Sequence, residues 1–87
     1  MYVVYVIQNE KTKEVYIGVT SNLKQRLEQH NSHSKGFTKR KSKSKWILVY
    51  AEAFRDKNDA FCREFKLKQR GSARYGLMKR ISRSLLK

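Results

Sequence analysis

The residues of this chain that could do chemistry are polar side chains spread over several predicted strands and helices. Two tyrosines and a glycine lie on short segments rich in β-branched residues, where they are better suited to a site than to a core. An arginine and a histidine follow four residues apart on a predicted helix, and a carboxylate lies on a later one. In a very basic small protein, such a set can hydrolyse a phosphodiester. These residues are Tyr5, Tyr16, Gly18, Arg26, His30 and Glu64.

The chain carries a large excess of positive charge. Of its 87 residues, 21 are Lys or Arg and 7 are Asp or Glu, which gives a formal net charge of +14. Repulsion at this density opposes folding, so a polyanionic partner such as DNA is expected. A membrane surface is the competing anionic partner. The sequence has no long apolar segment, signal peptide or lipidation motif, and we therefore expect no membrane association. A single cysteine, which can form no internal disulfide, predicts a cytoplasmic protein.

Two segments near the start of the chain predict a β-hairpin. Residues 2–8 and 14–19 are rich in β-branched and aromatic side chains, and the residues between them are polar. If the turn centres between Glu10 and Lys11, Tyr5 lies opposite Tyr16, and alternate side chains fall on opposite faces of the sheet. One face is then wholly apolar, with Val4, Val6, Val15 and Ile17, and the other carries Val3, Tyr5, Tyr16 and Gly18.

A helix should follow the hairpin and hold two of the candidate residues. Each residue at positions 20–22 has a side chain that can cap a helix running to about residue 31. Leu23 and Leu27 would form its buried stripe, with Arg26 and His30 in a row beside that stripe. Residues 32–45 are polar, basic and without a clean period, which is typical of a functional loop in so small a domain.

The second half of the chain predicts a strand at residues 46–54 and a helix from Asp56 or Asn58 to about residue 69. Residues 73–86 predict a last amphipathic helix. Glu64 lies at the border of the apolar face of the earlier helix, an unusual place for a carboxylate without a partner. The predicted apolar face of that helix consists of Ala60, Phe61, Phe65 and Leu67.

Cys62 is the only cysteine of the chain, so no internal disulfide can form. Its neighbours Phe61 and Phe65 predict a small buried side chain at this position. One cysteine and two histidines cannot supply the usual four protein ligands of a zinc ion.

Taken together, these segments resemble the GIY-YIG nuclease domain. The closest subgroup is the small single-domain proteins similar to the N-terminal nuclease domain of the bacterial excision-repair endonuclease. The resemblance implies an α+β fold, with a three-stranded antiparallel sheet flanked by helices and residues 1–87 forming one domain. The matching motifs are Val3-Val4-Tyr5, Tyr16-Ile17-Gly18, Arg26-x-x-x-His30-Asn31, Phe37-Thr38-Lys39-Arg40, Leu48-Val49-Tyr50 and Arg63-Glu64-Phe65-x-Leu67-Lys68.

The resemblance also implies a role for each candidate residue. Glu64 would bind one Mg2+ or Mn2+ ion, and Arg26 would hold a non-bridging oxygen of the scissile phosphate. Tyr5 and Tyr16 would position the attacking water, and one of them would be the general base, with its pKa lowered by Arg26, the ion and the positive field. His30 would accept the proton directly or relay it. Which tyrosine is the base stays open. Gly18 is explained by a close approach of backbone or substrate.

The function expected from this resemblance is that of a metal-dependent DNA endonuclease that nicks single strands. Its specificity should be directed by DNA structure, as in DNA repair, or be low for sequence, on branched, nicked or single-stranded DNA. A bacterial or phage-type protein acting as a monomer or weak dimer is expected. The residues expected to grip the phosphate backbone are Lys35, Lys39, Arg40, Lys41, Lys43, Lys45, Lys68 and Arg70.

Two other interpretations fit parts of the sequence. The same fold and charge could belong to a non-catalytic nucleic-acid-binding module, or to an accessory subunit whose basic surface meets RNA or a protein. The individual residues also have ordinary interpretations. A strand tyrosine is commonly a core residue, and Glu64 could simply pair with Lys68 one helical turn on.

Overall fold

The computed structural model of this protein describes residues 1–31 and 45–87 and is built around a three-stranded antiparallel sheet, in which the first strand along the chain lies between the second and the third. The predicted α+β fold with an antiparallel sheet is confirmed. In the described residues the strands are β1 (Tyr2–Asn9), β2 (Val15–Thr20) and β3 (Trp46–Phe54), and the helices are α1 (Leu23–Asn31), α2 (Lys57–Lys68) and α3 (Ser72–Arg80).

Each face of the sheet carries its own apolar cluster, because side chains alternate along the central strand. On one face, Val4, Val6 and Ile17 pack against side chains of α2 and α3. On the other face, Tyr5 packs with Ile7 and Trp46 against side chains of α1. The predicted division of the hairpin into an apolar and a tyrosine-bearing face is therefore correct.

The register of the hairpin differs from the prediction. Tyr5 lies opposite Gly18, and Tyr16 lies opposite Ile7, so each partner is displaced by two residues from the predicted pairing. The buried side chain of Asn9 causes this displacement, because its Oδ1 accepts the backbone N–H groups of two turn residues, each at 3.0 Å. A displacement of two residues preserves the face of every side chain, whereas one residue would have reversed it.

Two asparagine side chains fix the ends of α1. Asn22 is the cap, since its Oδ1 accepts the backbone N–H of Gln25 at 3.1 Å. Asn31 bonds both backbone groups of Trp46, accepting its N–H at 2.8 Å and donating to its carbonyl at 3.2 Å. The end of α1 is thereby attached to the first residue of β3.

The buried face of α2 differs from the prediction. Ala60 and Leu67 are fully buried as expected, but Phe61 and Phe65 are 46% and 63% exposed. Cys62, predicted to be a buried filler, is exposed as well. The helix is thus rotated away from the orientation that its aromatic side chains predict.

Charged side chains explain this rotation. Between the two buried apolar residues of α2 lie Arg63 and Glu64, both partly buried. Arg63 donates from Nε and Nη2 to the carboxylate of Glu52 on β3, at 3.0 and 2.9 Å, and the hydroxyl of Tyr50 donates to the same carboxylate at 2.6 Å. A bidentate charge-assisted pair of this kind is stronger than a neutral hydrogen bond and constrains the orientation of the helix.

The last helix is shorter than predicted. It ends at Arg80, and Ile81 follows as its C-cap, whereas the sequence pattern extends to residue 86. Serine favours helix ends over helix interiors, so the serines at 82 and 84 agree with an end at this point. Beyond the helix, the backbone N–H of Leu86 donates to the Gln8 side chain at 2.7 Å and attaches the C-terminal segment to β1.

We expect Glu52 to make the stability of the fold depend on pH. Burial alone would raise the pKa of Glu52, but hydrogen bonds from Arg63 and Tyr50, with the charges of Arg63 and Arg80, outweigh burial and lower it. The stabilisation is therefore fully present above the pKa of an unfolded glutamate, about 4.3, and is lost as the pH falls through the lower folded-state value. At neutral pH, Glu52→Gln should cost about 1.5–3 kcal/mol.

Urea unfolding between about pH 6 and 3 measures this effect. The difference in free energy of unfolding between wild type and Glu52→Gln should shrink as the pH falls. The exposed Glu28 of α1 provides a control, Glu28→Gln, that removes the same charge. A Glu52→Gln difference that stays constant over this range would contradict the assignment.

Candidate active site

Three aromatic side chains meet on the face of the sheet that α1 covers. The buried hydroxyl of Tyr5 lies 3.0 Å from Nε2 of His30. The ring of His30 stands edge-on to both tyrosines, with centroids 5.9 Å from Tyr5 and 5.1 Å from Tyr16. The two tyrosine rings are 6.4 Å apart. Strands β1 and β2 and helix α1 thus bring two phenols and an imidazole together.

Gly18 makes this arrangement sterically possible. It lies opposite Tyr5 in the hairpin, and a Cβ added to Gly18 would lie 2.5 Å from the Tyr5 hydroxyl oxygen and 2.6 Å from its ring carbon Cζ. The phenol therefore lies directly over the glycine backbone. The close approach expected at Gly18 was of backbone or substrate, whereas the group that lies there in the structure is the side chain of Tyr5.

Helix α1 contributes two candidate residues because its apolar stripe packs against the buried cluster of Tyr5, Ile7 and Trp46. Leu23 and Leu27 pack against that cluster. Residues three and four apart share a helix face, so this packing also turns Arg26 and His30 toward the sheet. His30 is 7% exposed, and Arg26 is half-buried.

The electrostatics of the cluster favour neutral groups. Burial raises the pKa of Tyr5 to about 12, with a further contribution from Tyr16 and a smaller one from Glu64, against the lowering charge and hydrogen bond of Arg26. Burial also lowers the pKa of His30, and the charge of Arg26 acts in the same direction. At neutral pH, Tyr5 is therefore protonated and His30 is uncharged. At Tyr5, burial outweighs the charge of Arg26, which was expected to lower a tyrosine pKa.

Glu64 reaches the cluster from α2 and is held by a lysine. Its Oε2 lies 2.9 Å from Nζ of Lys68, and its side chain is 18% exposed. The same ammonium lies 5.5 Å from the centroid of the Tyr16 ring. The ion pair between Glu64 and Lys68, one of the ordinary interpretations of the sequence, is present. The contact of Lys68 with Tyr16 has no signal in the sequence, since it depends on how α2 lies against β2.

The carboxylate of Glu64 is the candidate metal ligand among these residues. The described part of the chain holds no cluster of three or more His, Cys, Asp or Glu side chains that could bind a metal ion. Mg2+ is commonly bound by one or two carboxylates, with water and substrate phosphate completing the coordination. A single partly buried carboxylate fits that chemistry, and its lysine partner is 47% exposed.

The predicted phosphate-binding residues fall into two groups. Lys45, Lys68 and Arg70 are exposed, and Lys68 lies at the tyrosine cluster. The remaining predicted phosphate contacts, Lys35, Lys39, Arg40, Lys41 and Lys43, lie outside the described residues.

No helix in the described ranges is long and apolar enough to cross a membrane.

Sequence comparison identifies two curated relatives. The UPF0213 protein DP2720 of Desulfotalea psychrophila is 38% identical over 66 residues, which are 76% of this chain and 59% of that protein. The UPF0213 protein SH2523 of Staphylococcus haemolyticus is 35% identical over 65 residues, 75% of this chain and 77% of the relative. This chain therefore spans less than two thirds of the first relative.

The family comparison covers more of the chain than either relative. No solved structure matches the sequence significantly. The family model of the GIY-YIG catalytic domain matches residues 1–77. This match includes both strands of the hairpin and all six candidate residues, and the chain belongs to the GIY-YIG catalytic domain family.

Proposed function

We propose that this protein is a metal-dependent endonuclease that hydrolyses phosphodiester bonds of DNA and nicks one strand at a time. The observation that carries the proposal is the convergence of four elements on one cluster. The Tyr5 hydroxyl is bonded to His30, the Tyr16 ring lies against both, and Arg26 and Glu64 act electrostatically on Tyr5. Membership in a family of catalytic nuclease domains supports the same chemistry. One such site cuts one strand.

The two tyrosines have different roles in this proposal. Tyr5 is fully buried and keeps its proton, because its pKa is raised while that of His30 is lowered. The contact of its hydroxyl with Nε2 of His30, at 3.0 Å, holds the imidazole in place. Tyr16 is only partly buried and is the tyrosine that contacts the attacking water. The uncharged His30, whose ring lies 5.1 Å from that of Tyr16, is the acceptor for the proton that leaves the site.

The charged residues act on the phosphate. Arg26 is half-buried beside the Tyr5 hydroxyl, and its planar donors bind a non-bridging phosphate oxygen. Glu64 would hold the divalent ion, Mg2+ or Mn2+, in place of its ion pair with Lys68. When bound, the ion supplies positive charge at the phosphate and the leaving oxygen. In these roles, positive groups of the site lie where negative charge develops in the transition state.

The substrate we propose is DNA recognised by its structure rather than its sequence. The net charge of +14 gives sequence-independent affinity for a phosphate backbone. Branched, nicked or partly single-stranded DNA, of the kind met in repair, is the substrate class. Residues 1–87 act as a single domain in this proposal, as a monomer or weak dimer in the cytoplasm.

The first prediction concerns Glu64. Wild-type protein should convert supercoiled plasmid to the nicked form with Mg2+ or Mn2+ and not with EDTA. Glu64→Gln keeps the shape of the side chain but removes its charge, and should lower the nicking rate by at least about 100-fold. Binding of the same DNA in EDTA should stay nearly unchanged. Glu28→Gln, on the exposed face of α1, is the matched control and should nick like wild type.

Each result of this experiment has a definite meaning. Nicking by Glu64→Gln at the wild-type rate would show that the site is wrongly assigned. Binding without nicking by wild type, on plasmid and on branched DNA, would favour the non-catalytic binding module. Tighter binding of A-form RNA than of any DNA would favour the accessory subunit instead.

The second prediction concerns Arg26. Because its best contact in our proposal is with charge that develops in the transition state, Arg26→Ala should lower the nicking rate by about 100-fold. DNA affinity should fall by less than about 10-fold, since one phosphate contact among many is lost. Single-turnover kinetics and equilibrium binding at one fixed salt concentration separate the two effects. Equal losses in rate and affinity would contradict the role.

The third prediction concerns Gly18. An alanine here places a methyl group where the Tyr5 phenol lies, so the ring must move and its bond to His30 is broken. Gly18→Ala should lower the nicking rate by about 100-fold and the stability by about 1–3 kcal/mol. Gly76→Ala is the control, because no atom lies within 4 Å of a Cβ added there. It should nick like wild type and stabilise α3 slightly. A wild-type rate for Gly18→Ala would contradict this role of the glycine.

A further inference from the structure

A basic cleft lies between the end of α2 and the start of α3, outside the tyrosine cluster. It is shallow and open to solvent, with a volume of about 610 Å3. Three of its six described lining residues are positively charged and none is acidic. The lining residues are Lys68, Arg70, Gly71, Arg74, Tyr75 and Met78, and we call this feature the α2–α3 cleft.

Tyr75 is the aromatic residue of the α2–α3 cleft. It is 68% exposed, more than any other large aromatic side chain of the described residues. The ammonium of Lys79 lies 5.7 Å from its ring centroid and adds positive charge beside the ring. An exposed aromatic ring among cations is the combination by which proteins bind unpaired nucleotides, since the base stacks on the ring and the cations bind phosphate.

Arg74 is held in position across the cleft. Its Nη1 donates to the backbone carbonyl of Leu67, near the end of α2, at 3.4 Å. The guanidinium is thus shared between the two helices, and it retains further donors for a phosphate.

Lys68 connects the cleft with the candidate active site. It lines the α2–α3 cleft, and its ammonium also lies 2.9 Å from Glu64 and 5.5 Å from the ring centroid of Tyr16. A strand whose scissile phosphate lies at Glu64 therefore has a continuous positive path into the cleft.

We propose that the α2–α3 cleft binds an unpaired nucleotide of the DNA strand next to the scissile phosphate. Tyr75 stacks on the base, and Arg70 and Arg74 bind the phosphates on either side of it. This inference rests on the proposed function for the position of the cut, and it names the substrate class: DNA with an unpaired segment beside the duplex. The site thereby distinguishes such DNA from continuous duplex, in which stacked bases cannot reach the tyrosine.

Binding in EDTA tests the cleft without depending on cleavage. The probes are a single-stranded oligonucleotide, the same sequence as blunt duplex, and a duplex with a single-stranded overhang, all at one fixed salt concentration. Tyr75→Leu should weaken binding of the single-stranded and overhang probes by about 5- to 150-fold, with little change for the blunt duplex. Tyr75→Phe keeps the ring and should bind like wild type.

Phe61→Leu is the matched control. Phe61 lies on α2, and like Tyr75 it has an exposed ring with a lysine beside it, since Nζ of Lys57 lies 5.6 Å from the ring centroid. It should leave the binding of all three probes unchanged. The inference is overturned if Tyr75→Leu behaves like Phe61→Leu, or if it weakens duplex and single strand equally. It is also overturned if Tyr75→Leu lowers binding to vesicles of phosphatidylserine and phosphatidylcholine but not to DNA, which would make the cleft a membrane contact.

Cleavage of the overhang probe separates this inference from the proposed function. If wild type nicks near the junction and Tyr75→Leu loses the preference for overhang over duplex, both stand. If no DNA is nicked but Tyr75→Leu still loses single-strand affinity, the endonuclease proposal fails and the binding site stands. If nicking depends on Glu64 but is indifferent to Tyr75 on both probes, the endonuclease proposal stands and the cleft proposal fails.

Discussion

The close approach of Tyr5 to Gly18 is the constraint on which the rest of the site depends. The phenol can lie over the strand only where no Cβ projects, and the hairpin register places the glycine at that point. That register is set several residues away by Asn9, whose buried side chain closes the turn. The predicted register would have placed two tyrosine rings opposite one another and the glycine elsewhere. The 3.0 Å contact between Tyr5 and His30 thus depends on the hydrogen bonds of the turn, because these set the register of the two strands.

The orientation of α2 is the second constraint, and a pair of charges fixes it. Neighbouring residues on a helix point ~100° apart, so the bond of Arg63 to Glu52 also determines where Glu64 points. Had the helix turned to bury Phe61 and Phe65, as its hydrophobicity favours, Glu64 would have left the tyrosine cluster. The exposure of two phenylalanines is the cost of this arrangement. An ion pair on one side of α2 therefore positions the carboxylate on the other.

Local signals in the sequence were sufficient for the order and approximate bounds of the strands and helices. The alternation of β1 predicts its two faces, and Asp56 predicts the start of α2, because each depends on neighbouring residues alone. What the sequence could not supply depends on contacts distant along the chain. The rotation of α2 requires Glu52, and the raised pKa of Tyr5 requires the burial that α1 completes. The hydrophobic periodicity of the sequence predicts neither the rotation of α2 nor the raised pKa of Tyr5.

Charge and shape have separate functions in a protein of this composition. A net charge of +14 attracts any polyanion, and salt screens that attraction without regard to the polyanion's structure. Discrimination between one polyanion and another must therefore come from side chains that are held in a fixed geometry. The buried tyrosine cluster is one, since its rings are held by packing and a hydrogen bond. Lys68 contributes both charge and fixed geometry. Its ammonium pairs with Glu64 and contacts the ring of Tyr16, and the residue also lines the α2–α3 cleft. A cation so placed can exchange a carboxylate for a phosphate without any rearrangement of the backbone, and under the proposed function the DNA strand supplies that phosphate.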